Sequence, residues 1–267
     1  MPDQKLPPAL TAPRTRALTL CGVLVAALFG VAAFVPLPYT LTMPGVTADT
    51  LGDYQGRPVI TITGAPVRPT DGQLRMVTIS ATNQDERTSL WRALQAWADP
   101  DEAVRPTDSV YPKSDPVKSE QVNAQQMTES QDSATVAALD YLHLSPAQVK
   151  VSIDLGDIGG PSAGQMLALG IVDKLGGGDG GGLTAGRTIA GTGTIDDAGN
   201  VGAVGGVPLK TQAAARDGAT VFLVPKGECS DAKVNTPEGL RLVPVSTLAE
   251  SVSALKALRD GGDVPSC

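Results

Sequence analysis

Asp154-Leu-Gly-Asp-Ile-Gly-Gly-Pro-Ser162-Ala-Gly-Gln-Met-Leu-Ala-Leu-Gly-Ile-Val-Asp-Lys174 decides how the chain is read. Val149 to Leu155, at its start, alternate apolar and polar side chains and predict a short strand; a glycine-rich turn then delivers one serine to the start of an apolar helix. Gly159 and Gly160 permit a positive φ or a close backbone approach, and Pro161 fixes one φ. The small pair Ala163-Gly164 is expected to leave room above the hydroxyl. A helix N-terminus also aims unpaired N–H groups and a positive dipole end outward, the environment an oxyanion needs. Taken alone, such a turn more often makes its serine a plain N-cap.

A second glycine-led stretch shifts that balance. In Gly205-Gly-Val-Pro-Leu-Lys210-Thr-Gln-Ala-Ala-Ala, Pro208 suits the first turn of a helix and Lys210 follows close behind. Together the two segments resemble the Lon protease family, whose Ser/Lys dyad sits in a Pro-Ser-Ala-Gly motif and a Gly-Gly-x-x-x-Lys motif. Between them, Ile189-Ala-Gly-Thr192-Gly-Thr-Ile-Asp-Asp-Ala-Gly-Asn-Val-Gly-Ala-Val204 resembles the family's strand, Thr-Gly pair and hairpin. After them, Arg216-Asp-Gly-Ala-Thr-Val-Phe-Leu-Val-Pro225 resembles its helix end and next strand.

The resemblance implies an α+β Lon protease domain (ribosomal protein S5 domain 2-like). Ser162 and Lys210 become the expected catalytic residues, with Gly160, Pro161, Ala163 and Thr192 in support, Thr192 falling on the threonine that orients the lysine amine. The chemistry agrees. A serine hydroxyl needs a base, and the single histidine, His143 in Asp140-Tyr-Leu-His-Leu-Ser-Pro, reads as a solvated or capping residue at a helix end. A lysine can replace it if burial lowers its pKa from about 10.4 toward 7 or 8, against roughly 4 kcal/mol. The weakly charged surroundings of Lys210 favour that shift.

The chain departs from the family in two ways. Lon enzymes commonly carry an aspartate two residues before the motif's proline; here Gly159 stands there, and the carboxylate is absent or has moved to Asp157. No ATPase module is found. Gly181-Gly-Leu-Thr-Ala-Gly186-Arg-Thr188 imitates a phosphate loop, but Arg187 replaces its lysine and no strand precedes it, so it reads as a loop into a strand at Thr188. Ser253-Ala-Leu-Lys256 fits a Ser-x-x-Lys spacing on a terminal helix and reads as an exposed face.

Residues 18 to 35 form an uncharged apolar run long enough to span a bilayer. Lys5, Arg14 and Arg16 precede it and the next basic residue after it is Arg57, so the positive-inside rule places the N-terminus in the cytoplasm and the remainder outside. A signal peptide cut near Ala32-Ala33 is the alternative. The closer resemblance is then to the membrane-anchored Lon-like proteases of Gram-positive bacteria, which usually carry an inserted PDZ domain. Thr82-Asn-Gln-Asp through Trp91, and Gln126 to Gln131, resemble the flanks of that insertion, yet Leu142 reaches the strand at Val149 almost at once. The PDZ domain is expected to be missing.

The expected organisation is a cytoplasmic N-terminus (1–17), a transmembrane anchor (18–37), an N-terminal part of the Lon-like domain (40–148), the catalytic core (149–260) and a tail (261–267). Strands are predicted around Val59 to Thr63, Gln73 to Thr82 and Leu240 to Val245, and helices over Thr88 to Ala98, Ser119 to Leu142 and Thr247 to Arg259. Residues 99–118, with four prolines, predict an irregular connector. Trp91 and Trp97 read as core or membrane-interface packing. At 42% hydrophobic and 3% aromatic, the core must be mainly aliphatic, and a net charge of −7 without a basic run excludes a nucleic-acid surface.

Cys229 and Cys267 would pair in an oxidising compartment, contributing about 3 to 4 kcal/mol in the chain-entropy model. No cofactor or metal is expected. The predicted activity is ATP-independent endopeptidase action, outside the membrane, on peptide or unfolded protein segments. An inactive scaffold and a signal-peptidase-like enzyme are the alternatives, and ring-like homo-oligomers are expected by analogy alone.

Overall fold

The computed structural model describes residues 12–83, 86, 88–111, 116–176 and 181–267. Lys5, Gln84, Asp85 and Pro112, invoked above, lie outside these. Helix α1 (Ala12–Phe34) leads into the short strand β1 (Pro36–Leu37), followed by β2 (Tyr39–Asp49), β3 (Ile60–Thr63) and β4 (Gln73–Ala81). A two-residue strand β5 (Thr88–Ser89), helix α2 (Leu90–Ala98) and strand β6 (Ala103–Pro106) come next, then the long helix α3 (Pro116–Tyr141). Strand β7 (Lys150–Ile153) runs through the glycine-rich turn into α4 (Gly164–Lys174). The chain finishes with β8 (Thr188–Gly191), a hairpin of β9 (Thr194–Ile195) and β10 (Val201–Gly202), α5 (Val207–Arg216), β11 (Val221–Pro225), β12 (Arg241–Val245) and α6 (Leu248–Arg259).

Six strands form the central sheet in the order β12-β11-β8-β4-β2-β6. The first four are mutually parallel, and β2 and β6 complete the sheet antiparallel. Successive side chains of a strand point to opposite faces, and the core obeys that period. Leu74, Met76, Ile189, Val221 and Leu223 pack on one face with residues of α3, α4 and α6, whereas Val77, Ala190, Phe222 and Val224 pack on the other with Val207 and Ala214 of α5. The mixed helix-and-sheet class therefore stands, as a layered structure with α4 and α5 on opposite sides of one sheet.

Helix α4 is buried on all sides except near Lys174, which explains its continuous apolar run. Its end is held by Asp173, whose fully buried carboxylate accepts the Leu183 N–H at 2.7 Å and pairs with the Arg68 guanidinium at 2.9 Å. Burial pushes this carboxyl up, and the Leu183 N–H and Arg68 pull it back down. At α6, Thr247 Oγ1 accepts the Glu250 N–H at 3.1 Å while the Glu250 carboxylate accepts the Ser246 N–H at 2.7 Å. This is the expected cap with its reciprocal bond displaced by one residue.

Three expectations need correction. The connector at 99–118 is not irregular throughout: Ala103–Pro106 pair with Tyr39–Thr42 as the sheet's edge strand, where Pro106 can end pairing without leaving a donor unmet. Of the two alternatives for Trp91 and Trp97, core packing is excluded: both are exposed together with Leu90 and Leu94, and α2 buries only Ala96. The predicted strand at Val149 to Leu155 is shorter and pairs with β3 in a separate ribbon beside the main sheet. Between Trp91 and Gln126 the described residues form α2, β6, a single helical turn, α3 and the short turns between them, and only residues 142–149 join α3 to β7, leaving no place for an inserted PDZ domain.

The structure brings Cys229 and Cys267 to an S–S distance of 2.09 Å, closing a 38-residue separation and fastening the C-terminal tail beside β12, where the Cys267 N–H donates to the Leu242 carbonyl. Cross-links of this span contribute about 4 kcal/mol in the chain-entropy model. Replacing both cysteines by serine should lower unfolding free energy in urea by roughly 2–4 kcal/mol; an unchanged midpoint would show that the pair does not form in solution.

Candidate active site

The serine turn is built from both sides. Pro161–Ala163 form one 3₁₀ turn ahead of α4, entered through Gly160 at φ 91°, a conformation that glycine adopts without strain. Two groups on α3 fix its position: the Asn123 carbonyl accepts the Gly160 N–H at 2.9 Å, and the Ser130 hydroxyl donates to the Pro161 carbonyl at 3.1 Å. A Cβ on Gly159 would lie 3.0 Å from Asn123 Cβ, so the carboxylate that the resemblance places at this position has little room here. Asp157 is exposed.

Ser162 is half-buried and does not cap α4, whose capping residue is Ala163 without any side-chain bond. The plain N-cap reading is thereby removed. The small residues after it also act differently from expectation. Ala163 is buried, and a Cβ on Gly164 would sit 2.8 Å from both Ile195 Cγ2 and Ser130 Oγ; the pair lets α4 close on the hairpin and α3, which is a packing role.

Lys210 arrives from the opposite face of the sheet. Gly206 caps α5 in the left-handed region at φ 71°, Pro208 occupies the first turn, and Lys210 follows with only 3% of its surface exposed. The two sides meet just past the carboxyl end of β8, at Thr192. Its hydroxyl, fully buried, donates to the Ser162 carbonyl at 3.2 Å and accepts a hydrogen bond from Lys210 Nζ at 3.0 Å. The Gly193 N–H adds a second bond to the Ser162 carbonyl at 3.1 Å, and the Gln165 N–H returns one to Gly193 at 3.2 Å. All six residues singled out from the sequence thus belong to one region, with Gly160, Pro161, Ser162 and Ala163 in the serine turn and Thr192 linking that turn to Lys210.

Burial pushes the Lys210 amine down from 10.5 to about 8, opposed by the negative charge of Glu228. Glu228 is the residue that sequence reading missed. It ends the turn after β11, directly before Cys229, and nothing in its local pattern sets it apart from a solvated acid. In the structure its Oε1 accepts the Val204 N–H at 3.0 Å, and its Oε2 is buried without a hydrogen-bond partner among the described residues. Burial raises its pKa, partly offset by the Val204 N–H and the Lys210 charge.

An open cleft of about 820 Å³ leads up to Gly159, lined by Val46 at the bulge of β2, Thr78 and Ile79 of β4, Met127 of α3, and Asp157 and Ile158. The lining stops at Gly159, three residues ahead of Ser162 in the chain. The other polar candidates lie elsewhere: His143 is exposed at the end of α3 with a left-handed φ of 55°, Ser253 is exposed on α6, and Arg187 precedes β8 in its loop. Among the described residues no three His, Cys, Asp or Glu side chains cluster as metal ligands would.

The family model of the Lon protease (S16) C-terminal proteolytic domain matches residues 117–257. This is just over half of the 267 residues and runs from the first turn of α3 nearly to the end of α6, taking in the serine turn, Thr192, Lys210 and Glu228. Strands β2 and β4, which complete the sheet beneath the site, come from residues ahead of the match. The chain belongs to the Lon protease family, and its S16 proteolytic domain makes it a serine peptidase.

Proposed function

We propose that the protein is an ATP-independent, membrane-anchored endopeptidase in which Ser162 is the nucleophile and Lys210 the general base. The observation that carries this reading is the hydrogen bond from a buried, easily neutralised Lys210 amine to Thr192, whose hydroxyl also holds the backbone of Ser162. Because Thr192 commits its own proton to the Ser162 carbonyl, it can only accept from Lys210. One N–H of the neutral amine is thereby fixed, which leaves the nitrogen lone pair directed away from Thr192 and available to the serine. The resting structure holds no Ser162–Lys210 hydrogen bond; such contacts commonly tighten only when substrate closes the site.

In this mechanism a peptide lies in the cleft with its scissile carbonyl above Ser162. Lys210 takes the hydroxyl proton as Ser162 Oγ attacks, and backbone N–H groups at Ser162 and its neighbours receive the developing oxyanion. The ammonium then protonates the leaving amine, and water, deprotonated by the same lysine, hydrolyses the acyl-enzyme. The substrates are peptide or unfolded segments outside the cytoplasmic membrane. In support of that location, Arg14–Phe34 is long and apolar enough to cross a bilayer and is not buried by the protein, the basic residues Arg14 and Arg16 lie on one flank, and the cross-linked cysteines suit an oxidising compartment.

Ser162→Ala and Lys210→Ala should each reduce cleavage of an unstructured protein by at least about 10³-fold, and Thr192→Val by roughly 10- to 100-fold through loss of the amine's hydrogen bond. Wild-type activity equal to that of both dyad variants would remove the enzyme reading. Since only the neutral amine accepts a proton, kcat should climb as pH rises through about 8 and fall away below it. Glu228→Gln removes the anion that favours the charged amine, so the acid limb should move to lower pH; an unmoved limb would show that Glu228 does not act on Lys210.

The same shift predicts a stability change. The folded state holds Lys210 below its unfolded pKa, so the unfolded chain binds the extra proton; the cost is fully present below pH 8 and disappears as pH rises through 10.5. At neutral pH it amounts to roughly 3 kcal/mol at most. Lys210→Met should therefore raise Tm at pH 7 while abolishing cleavage, with the gain shrinking above pH 8; a lower Tm would contradict the burial cost.

A further inference from the structure

Helix α2 leaves an apolar face uncovered. Leu90, Trp91, Leu94 and Trp97 are 38, 57, 49 and 82% exposed, and Leu90, Leu94 and Trp97 fall within one narrow stripe of the helix with Trp91 on its flank. These are the only two tryptophans of the chain. The opposite side is tied down: Ala96 is fully buried, and the Arg92 guanidinium forms two hydrogen bonds to the carboxylate of Glu102, which directly precedes the edge strand β6. The helix cannot roll to hide its aromatic face without breaking that paired contact.

The position of α2 identifies what covers the face. β1 begins immediately after Val35, at the end of the candidate membrane span, and pairs antiparallel with β5, Pro36 opposite Ser89 and Leu37 opposite Thr88. Ser89 is also the N-cap of α2, its hydroxyl accepting the Arg92 N–H at 3.2 Å. The first turn of α2 is therefore one strand pairing away from the point where α1 ends, and α1 and α2 touch. If Arg14–Phe34 crosses the hydrocarbon, Pro36 and Leu37 sit at headgroup depth, and a helix only nine residues long starting beside them stays near that depth. Tryptophan with leucine on the exposed face of such a helix is the composition that the interface favours.

We infer that α2 is an interfacial helix, with its Leu90–Trp91–Leu94–Trp97 face seated among the phospholipid headgroups of the leaflet into which α1 emerges. This rests on the anchored reading of α1. Its consequence is mechanical: two linked elements, α1 and α2, fix the height and tilt of the catalytic domain, so substrates must present an extended segment close to the membrane surface.

Because both tryptophans lie on α2, tryptophan emission, excited selectively over the four tyrosines, reports this helix alone. The test uses the full chain in phosphatidylcholine nanodiscs holding one copy each, comparing ordinary lipid with lipid brominated near the headgroup, alongside aqueous iodide quenching and carbonate extraction from vesicles of the same lipid. Emission cut by half or more in brominated discs, with iodide quenching several-fold weaker than for free tryptophan, is the expected result. Full iodide access with no bromine effect, in protein that resists carbonate, overturns the proposal while the anchor stands. Shielding that needs two copies per disc overturns it in favour of a dimer face. Release of the protein by carbonate removes the anchor and this inference together, leaving the serine peptidase assignment untouched.

Discussion

One buried hydroxyl holds the site together. Ser162 belongs to a turn on the α4 side of the sheet and Lys210 to a helix on the other side, and they can approach each other only past the carboxyl end of a strand. Thr192 stands at that end, bonded forward to Lys210 and back to the Ser162 carbonyl, while its own N–H is anchored to Leu223 of the neighbouring strand β11. Parallel strands gather such crevices at their carboxyl ends because the chain must leave the sheet there in opposite directions. The parallel half of this sheet is thus what makes the site possible.

Placing an amine in that crevice has a cost that the rest of the fold meets. Desolvation drives Lys210 toward neutrality, which catalysis by a lysine base requires, yet the same desolvation destabilises the folded state. Glu228 limits the effect from the rim, and its neighbour Cys229 is covalently tied to the C-terminus. The apolar packing of α3, α4 and α6 on one face, together with the disulfide on the other, supplies the stability against which a buried amine can be held.

The glycine-led turns were legible because their chemistry is local. Gly160 and Gly206 need positive φ, Pro161 and Pro208 suit first helical turns, and Thr247 with Glu250 forms a cap readable from four residues. What was not legible depends on distant partners. Ala103–Pro106 is a strand only because Tyr39–Thr42 offers a free edge, and its proline, with Pro100 just ahead of it, disguises it. The stripe on α2 has the period of a core helix, yet its residues are exposed, and the end of the molecule at which it lies follows from the β1–β5 pairing, which joins residues far apart in the chain. Glu228 matters through a lysine that arrives from another element. Ala163-Gly164 was noticed for its small size, but its use is the close approach of Ile195 and Ser130.

The proposed mechanism depends on the protonation state of one side chain, which can be observed without any substrate. Isotope labelling of lysine in the Ser162→Ala protein would allow the Lys210 side chain to be titrated by NMR, with assignment by comparison with Lys210→Met. A midpoint near 8, displaced when Thr192 is replaced by valine, is the expected result. A midpoint near 10.5, indifferent to Thr192, would mean that Lys210 is an ordinary solvated cation and that the proposed base does not exist.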